Sequence, residues 1–296
     1  MLPKAFYIVD VFAEEKYAGN QLAVFREGKK ISETDMQRFA KEMNYSETTF
    51  ILSEEERDGG YDVRIFTPEN ELPFAGHPTL GTAFIIQQKI IQKPVPKVNL
   101  NLKIGQIPVS FNYRGSEADL LWMEQKSPTF GEVLDPGALS QVLSVDKEEI
   151  DERFPIEEVS TGVPDIIVPL KTLEAVKKAK IVSDKYYALI ENLDAKAILV
   201  FCPEAYNKEN ALNVRFFADY YGVSEDPATG SANGCLAGYL VKNRYIGERY
   251  IDIQVEQGYE IGRPSILYLK AEEKEGGDID VHVGGRVVLI AEGQFI

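Results

Sequence analysis

The chain has 296 residues, 44% hydrophobic and 27% charged, with 32 basic against 47 acidic side chains and a net charge of −15. That length suits two domains of about 150 residues, and a chain this acidic, with no basic stripe, argues against nucleic acid or an anionic membrane as partner. Two cysteines and two histidines, with His77 and His282 far apart, leave no disulfide framework and no ligand set for structural zinc, haem or an iron–sulfur cluster.

The opening residues carry Asp10 inside their apolar stretch and no small-residue cleavage site, so no leader is expected. No run of 18 apolar residues suggests a membrane span. The cysteine usage fits a reducing, cytoplasmic setting. Segment 5–12 is rich in β-formers and reads as a strand, followed by a turn at Ala18-Gly19-Asn20 and a strand over 21–25. Ser32 with Asp35 is a capping-box-like helix start. Behind it Met36, Phe39, Ala40 and Met43 fall on one helical face, with Asn44 as a stop. Strands follow at 48–52 and 61–66. Pro78 can take the first helical position, which puts His77 at the N-cap of a helix running to about 91.

Strands are expected at 98–104, 107–113 and 120–123, and Ser127-Pro128-Thr129-Phe130-Gly131 reads as a linker. Beyond it come helices near 137–143, 173–178 and 184–192, and strands near 158, at 166–169, at 196–202 and at 213–217. The apolar run 197–202 has the length of a buried strand. Short strands with singly interspersed helices make the class α+β, not a doubly wound parallel sheet.

One internal comparison organises the chain. Glu71, Pro73, Gly76 and Ala83 match Glu225, Pro227, Gly230 and Ala237 at a constant spacing of 154 residues, close to half the length. Each copy follows a strand and opens a helix, which favours two domains of one topology, 1–126 and 127–296, with the last strand able to return to the first. A glycine at a helix mouth lets a ligand approach the backbone. The unpaired amides of a first helical turn suit an anion. Two such mouths facing one cleft would hold a small molecule bearing a carboxylate.

His77 and Ser231 are counterparts at the same spacing. Ser231 lacks the surrounding Gly-x-Ser-x-Gly of a hydrolase nucleophile and fits anion binding better. Asp226 precedes a proline in a polar turn, and Glu47 lies between a helix end and a strand. With no Walker A sequence and no dinucleotide fingerprint, acid–base chemistry without a cofactor is what an enzyme here would use.

The segments Asp10-Val-Phe, Ala18-Gly-Asn-Gln-Leu-Ala-Val, Asn44-Tyr-Ser-Glu-Thr-Thr-Phe, Arg64-Ile-Phe-Thr-Pro, Glu71-Leu-Pro-Phe-Ala-Gly-His-Pro-Thr, Glu225-Asp-Pro-Ala-Thr-Gly-Ser-Ala, Val283-Gly-Gly and Ala291-Glu-Gly occur in this order. Together they resemble the PhzF-like isomerases and epimerases over nearly the whole length. The resemblance implies a diaminopimelate epimerase-like fold: two domains, each a curved, mostly antiparallel mixed sheet around a central helix. It places Ala75 and Thr229 where that epimerase has its two thiols, so neither Cys202 nor Cys235 is expected to act. It implies Glu47 as general acid and base, with His77 and Asp226 as its catalytic partners. Asn20, Gly76, Thr229, Gly230 and Ser231 are then expected to bind substrate. Gln21 departs from the family's frequent proline. No metal or cofactor, a small anionic substrate and a homodimer follow as expectations. The rival reading is a carboxylate-binding protein on the same fold without turnover.

Overall fold

The computed structural model describes residues 3–296, so the first two residues of the opening segment lie outside it. The chain divides into two compact units: residues up to Met123 together with Gly284–Ile296, and Glu124–Val283.

The first unit begins with β1 (Lys4–Val11), β2 (Asn20–Phe25), α1 (Glu33–Met43), β3 (Glu47–Ile51), β4 (Tyr61–Phe66) and a short β5 (Glu71–Leu72). It continues with α2 (Gly76–Ile85), β6 (Lys97–Leu102), β7 (Gly105–Arg114) and β8 (Glu117–Gln125). The second unit holds β9 (Thr129–Leu134), α3 (Pro136–Leu143), β10 (Ile156–Ser160), β11 (Pro164–Pro169), α4 (Leu173–Lys178), α5 (Ser183–Ile190), β12 (Ala197–Cys202) and β13 (Leu212–Phe217). After these come α6 (Gly230–Lys242), β14 (Tyr250–Gln257), β15 (Ser265–Glu273) and β16 (Ile279–Gly285), before β17 (Val287–Phe295) rejoins the first unit.

In the first unit the strands pair in the order β17-β1-β2-β3-β4-β6-β7-β8, with β5 against one end of β4. Only β2–β3 and β4–β6 are parallel. In the second unit the order is β9-β10-β11-β12-β13-β14-β15, and only β11–β12 and β13–β14 are parallel. Each parallel step needs a crossover. The two steps are spanned by α1 and α2 in the first unit, and by the α4–α5 pair and α6 in the second. The class is therefore α+β on mixed, largely antiparallel sheets.

Strand alternation sorts the helices onto faces. On β2, Leu22 points to α2, where a side chain added at Gly81 would meet it at 2.6 Å. Ala23 and Phe25 point the other way, to a cluster with Met36 and Ala40 of α1. On β12, Ile198, Val200 and Cys202 pack on Leu139, Val176 and Tyr186 of α3, α4 and α5. Phe201 meets Tyr239 of α6, with ring centroids 5.8 Å apart. Both faces of β12 are buried, which is why its sequence is an unbroken apolar run. All ten residues of α2 are buried, as expected of a helix enclosed by its sheet.

Two sequence expectations are corrected. The N-cap of α2 is Ala75, not His77, so His77 is the second helical residue. Pro78 still sits in the first turn, where its missing N–H costs nothing. The expected linker is partly strand: Thr129 and Phe130 pair with Ser160 and Val159. This is an exposed strand, so its polar composition imitates a loop.

Candidate active site

Four of the expected site residues gather in the first unit. Gly19 turns the chain at a φ of +67°, and a Cβ there would meet the Val11 carbonyl at 2.3 Å, so only glycine fits. That turn delivers Asn20, 2% exposed, as the first residue of β2. Glu47 opens β3 opposite Leu22. It is reached from α1 through Asn44, whose φ of 54° ends that helix in the left-handed region.

α2 completes the group. Its first ladder bond runs from the Thr79 amide to the Ala75 carbonyl (3.3 Å), reinforced by the Thr79 hydroxyl (2.7 Å). The amides of Gly76 and His77 therefore precede the ladder, and Pro78 has none. No side chain caps this end. By contrast Ser32, Asp135 and Thr172 cap α1, α3 and α4 with their side-chain oxygens.

His77 Nε2 lies 3.5 Å from Glu47 Oε2, with side-chain exposures of 7% and 16%. Burial drives the imidazole pKa down to about 3, against a ring N–H bond to the Gln21 backbone carbonyl. The ring is therefore neutral at neutral pH, and the pair is not an ion pair. With the ring proton committed to Gln21, Nε2 presents its lone pair toward the carboxyl. It can then accept a hydrogen bond only when Glu47 carries the proton. A half-buried carboxyl set beside a neutral acceptor has the geometry that acid–base chemistry requires.

The other four residues gather in the second unit. The Asp226–Thr229 turn leads into α6, whose N-cap is Thr229 and whose first ladder bond joins the Asn233 amide to the Thr229 carbonyl (3.0 Å). The amides of Gly230, Ser231 and Ala232 precede it, and again no side chain caps them. The Thr229 hydroxyl donates to Asp226 Oδ2. The Gln125 amide donates to the Gly230 carbonyl (2.9 Å) and accepts from the Thr161 hydroxyl (2.7 Å). A Cβ at Gly234 would meet Gln125 Oε1 at 1.8 Å, so this clasp requires that glycine.

Neither cysteine is equipped for proton transfer. Cys202 and Cys235 are buried, and desolvation pushes the first thiol up to about 12 and the second higher still. Cys235 lies against Asp165, which is 2% exposed and pushed up to about 8 by burial, so that this carboxyl is protonated at neutral pH. Among the described residues, no cluster of three or more His, Cys, Asp or Glu could hold a metal ion, and no helix is long and apolar enough to cross a membrane.

Sequence reasoning missed one repeated device. Arg64 on β4 grips Glu71 with two bonds (2.7 and 2.6 Å), and Arg215 on β13 grips Glu225 likewise (2.9 and 2.7 Å). Each guanidinium lies over the phenylalanine two residues on, at 5.0 and 4.8 Å from the ring centroids of Phe66 and Phe217. The matched glutamates and the two Arg-x-Phe strands were the available signal. Both pairs tether the segment that leads into a helix mouth.

Comparisons with known proteins agree with this architecture. The family model for phenazine biosynthesis-like proteins, PhzC-PhzF, matches residues 9–293. A trans-2,3-dihydro-3-hydroxyanthranilate isomerase of Pseudomonas aeruginosa is 35% identical over 98% of both chains. A crystal structure of a PhzF-family phenazine biosynthesis protein from Bacillus anthracis covers all of both chains with a TM-score of 0.91 at 24% identity. A hydroxyproline epimerase from Agrobacterium vitis shares the fold alone: TM-score 0.64, 9% identity, covering 100% of this chain and 91% of that one.

Proposed function

The chain belongs to the PhzC-PhzF family of phenazine biosynthesis-like proteins, and from that premise we propose that this isomerase moves a proton on carbon in a small carboxylated metabolite, with Glu47 as both acid and base. The observation that carries the reading is the neutral, buried His77 ring set 3.5 Å from the Glu47 carboxyl at an uncapped helix start.

In this reading Glu47 removes a proton from a carbon made acidic by a neighbouring carboxylate, ketone or conjugated alkene. It returns that proton to the same carbon, or to another in an allylic shift. His77 Nε2 accepts the hydrogen bond of the protonated carboxyl and so stabilises the state reached after abstraction. The Gly76 amide meets the charge that develops on the substrate, and in the second unit the Gly230 amide and Ser231 form an anion site for a resting carboxylate. A donor to developing charge is worth about 3 kcal/mol, or roughly 10²-fold in rate. Asp226 holds a polar group of the substrate, and Asn20 lines the first group of residues. No step calls for a cofactor. A cytoplasmic setting suits two buried, free cysteines. A homodimer is the family expectation, read out by sedimentation.

The relatives' chemistry names the first compound to try, trans-2,3-dihydro-3-hydroxyanthranilate. Incubation in D₂O with wild-type protein is expected to convert it and to place deuterium on carbon, and Glu47→Gln should slow both by roughly 10²-fold or more. Full exchange by that variant would remove Glu47 as the base. Tight binding by wild-type protein with neither exchange nor conversion, across this compound and related carboxylated dienes, would favour a binding protein instead.

A further inference from the structure

The last residue of β14, Gln257, is fully buried, and its amide uses both ends on the turn that carries Asp226. Its oxygen accepts the Thr229 N–H (3.2 Å) and the Asn233 amide (2.8 Å). Its nitrogen donates to the Asp226 carbonyl (2.8 Å) and to the Thr229 hydroxyl (3.1 Å). A primary amide has two donors and two acceptor lone pairs, so all four positions are committed. Because Gln257 donates to the Thr229 oxygen, the Thr229 proton is directed to Asp226 Oδ2.

The order of the relay is thus fixed: Gln257 to Thr229 to Asp226. The strand that carries it lies hard against the turn, since a Cβ on Gly258 would meet the Pro227 carbonyl at 2.5 Å. A flat, fully bonded group in a close-packed wall has one orientation, and that orientation sets the plane of the carboxyl it reaches.

We propose that Gln257 is a positioning residue for Asp226 and that it acts through the Thr229 hydroxyl. The inference rests on the reading that the α6 mouth serves the substrate. It also gives Thr229 a different task from the thiol that stands there in a two-cysteine epimerase: its hydroxyl orients a carboxylate and transfers no proton to carbon.

The test is a double-mutant cycle of Gln257→Leu and Thr229→Val, read as deuterium incorporation into trans-2,3-dihydro-3-hydroxyanthranilate. Each single variant is expected to lower kcat roughly 10- to 100-fold, as misplacement of a reacting partner does. KM should shift far less, and the double variant should be no worse than Thr229→Val alone. Multiplying losses, or a loss confined to KM, would overturn the relay. Crystal structures of both single variants give a readout that needs no substrate. The Asp226 carboxyl should turn or split into two conformers while α6 keeps its start. Asp226 held in its wild-type rotamer in both would overturn the proposal even if wild-type protein turns over nothing, an outcome that would count separately against the proposed reaction. Should Gln257→Leu fail to fold, Thr229→Val, which is nearly isosteric, still decides the second half of the relay.

Discussion

α2 and α6 open with the same sequence grammar and use it differently. In α2 a proline removes one amide from the first turn, a buried histidine follows the glycine, and a glutamate from β3 meets that ring. In α6 three amides precede the ladder, a serine replaces the histidine, and two glutamines, Gln257 buried and Gln125 half-buried, fix the turn and the first helical carbonyl. The first mouth has a carboxyl beside a neutral ring and few donors, and the second has donors and a rigid frame. The proposed division of proton transfer and anion recognition between the two copies needs no change in the ladder around them.

The largest expected effect tests that division directly. Glu47→Gln should lower exchange by roughly 10²–10⁴-fold, the usual contribution of a general base. Stopped-flow or NMR exchange rates check it, and an equal loss of kcat in Ser231→Ala would dissolve the contrast.

The two arginine–glutamate tethers come next, because they differ in burial. Arg215 and Glu225 are each 9% exposed, and Arg215 also binds the Val176 and Ala179 carbonyls at the end of α4. Removing one partner of such a pair strands a buried charge, so Arg215→Ala should cost about 3–5 kcal/mol in urea denaturation. Arg64, 21% exposed, should cost nearer 1 kcal/mol. Similar costs would show that burial is not what separates the two tethers.

Falling and rising pH should also act through different units. His77 has a folded pKa near 3, below its ordinary 6.5, so as pH falls the unfolded chain takes up the proton first. Its contribution is complete above about pH 6.5 and falls by about 2 kcal/mol by pH 5. Asp165 is pushed the other way, from 3.8 to about 8, so the native state keeps a proton that the unfolded chain has lost. That contribution is complete below about pH 4 and declines as pH rises toward 8, by about 4 kcal/mol at pH 7. Melting curves across pH should therefore lose the fall in stability below about pH 6.5 in His77→Asn and the fall between about pH 4 and 8 in Asp165→Asn. Exchanged slopes would contradict both assignments.

The smallest effect sharpens the role of the second mouth. Ser231→Ala should raise KM roughly tenfold, about 1.4 kcal/mol, with little change in kcat, since a donor that holds ground and transition state alike acts on binding.

The parts of this arrangement differ in how plainly the sequence carried them. Ser32 caps α1 where its spacing to Asp35 said it would, and the strand over 61–66 occupies the residues its pattern implied. Local signals of that kind are complete within a few residues. The 154-residue spacing is legible for the same reason, since each copy is a contiguous motif. His77 at the N-cap was an error of two residues, because a proline in the first turn does not say which turn position it fills. The strand β9 was hidden because an exposed strand has the composition of a loop. Gln257 had no local signal at all: a single glutamine ending a strand means something only once the Asp226 turn lies against it, and that proximity is made by the parallel pairing of β13 with β14.

The closing strand has a consequence for how the molecule is made. β17 pairs with β1 along its whole length, so the first unit lacks a strand until residues 287–295 have been synthesised. The second unit is contiguous, and all of its residues have been polymerised before residue 284 is added. On a growing chain, where folding proceeds unit by unit as residues emerge, the half begun second is the half that can be finished first. β1 meanwhile waits with one side unpaired, an open edge of the kind that invites aggregation.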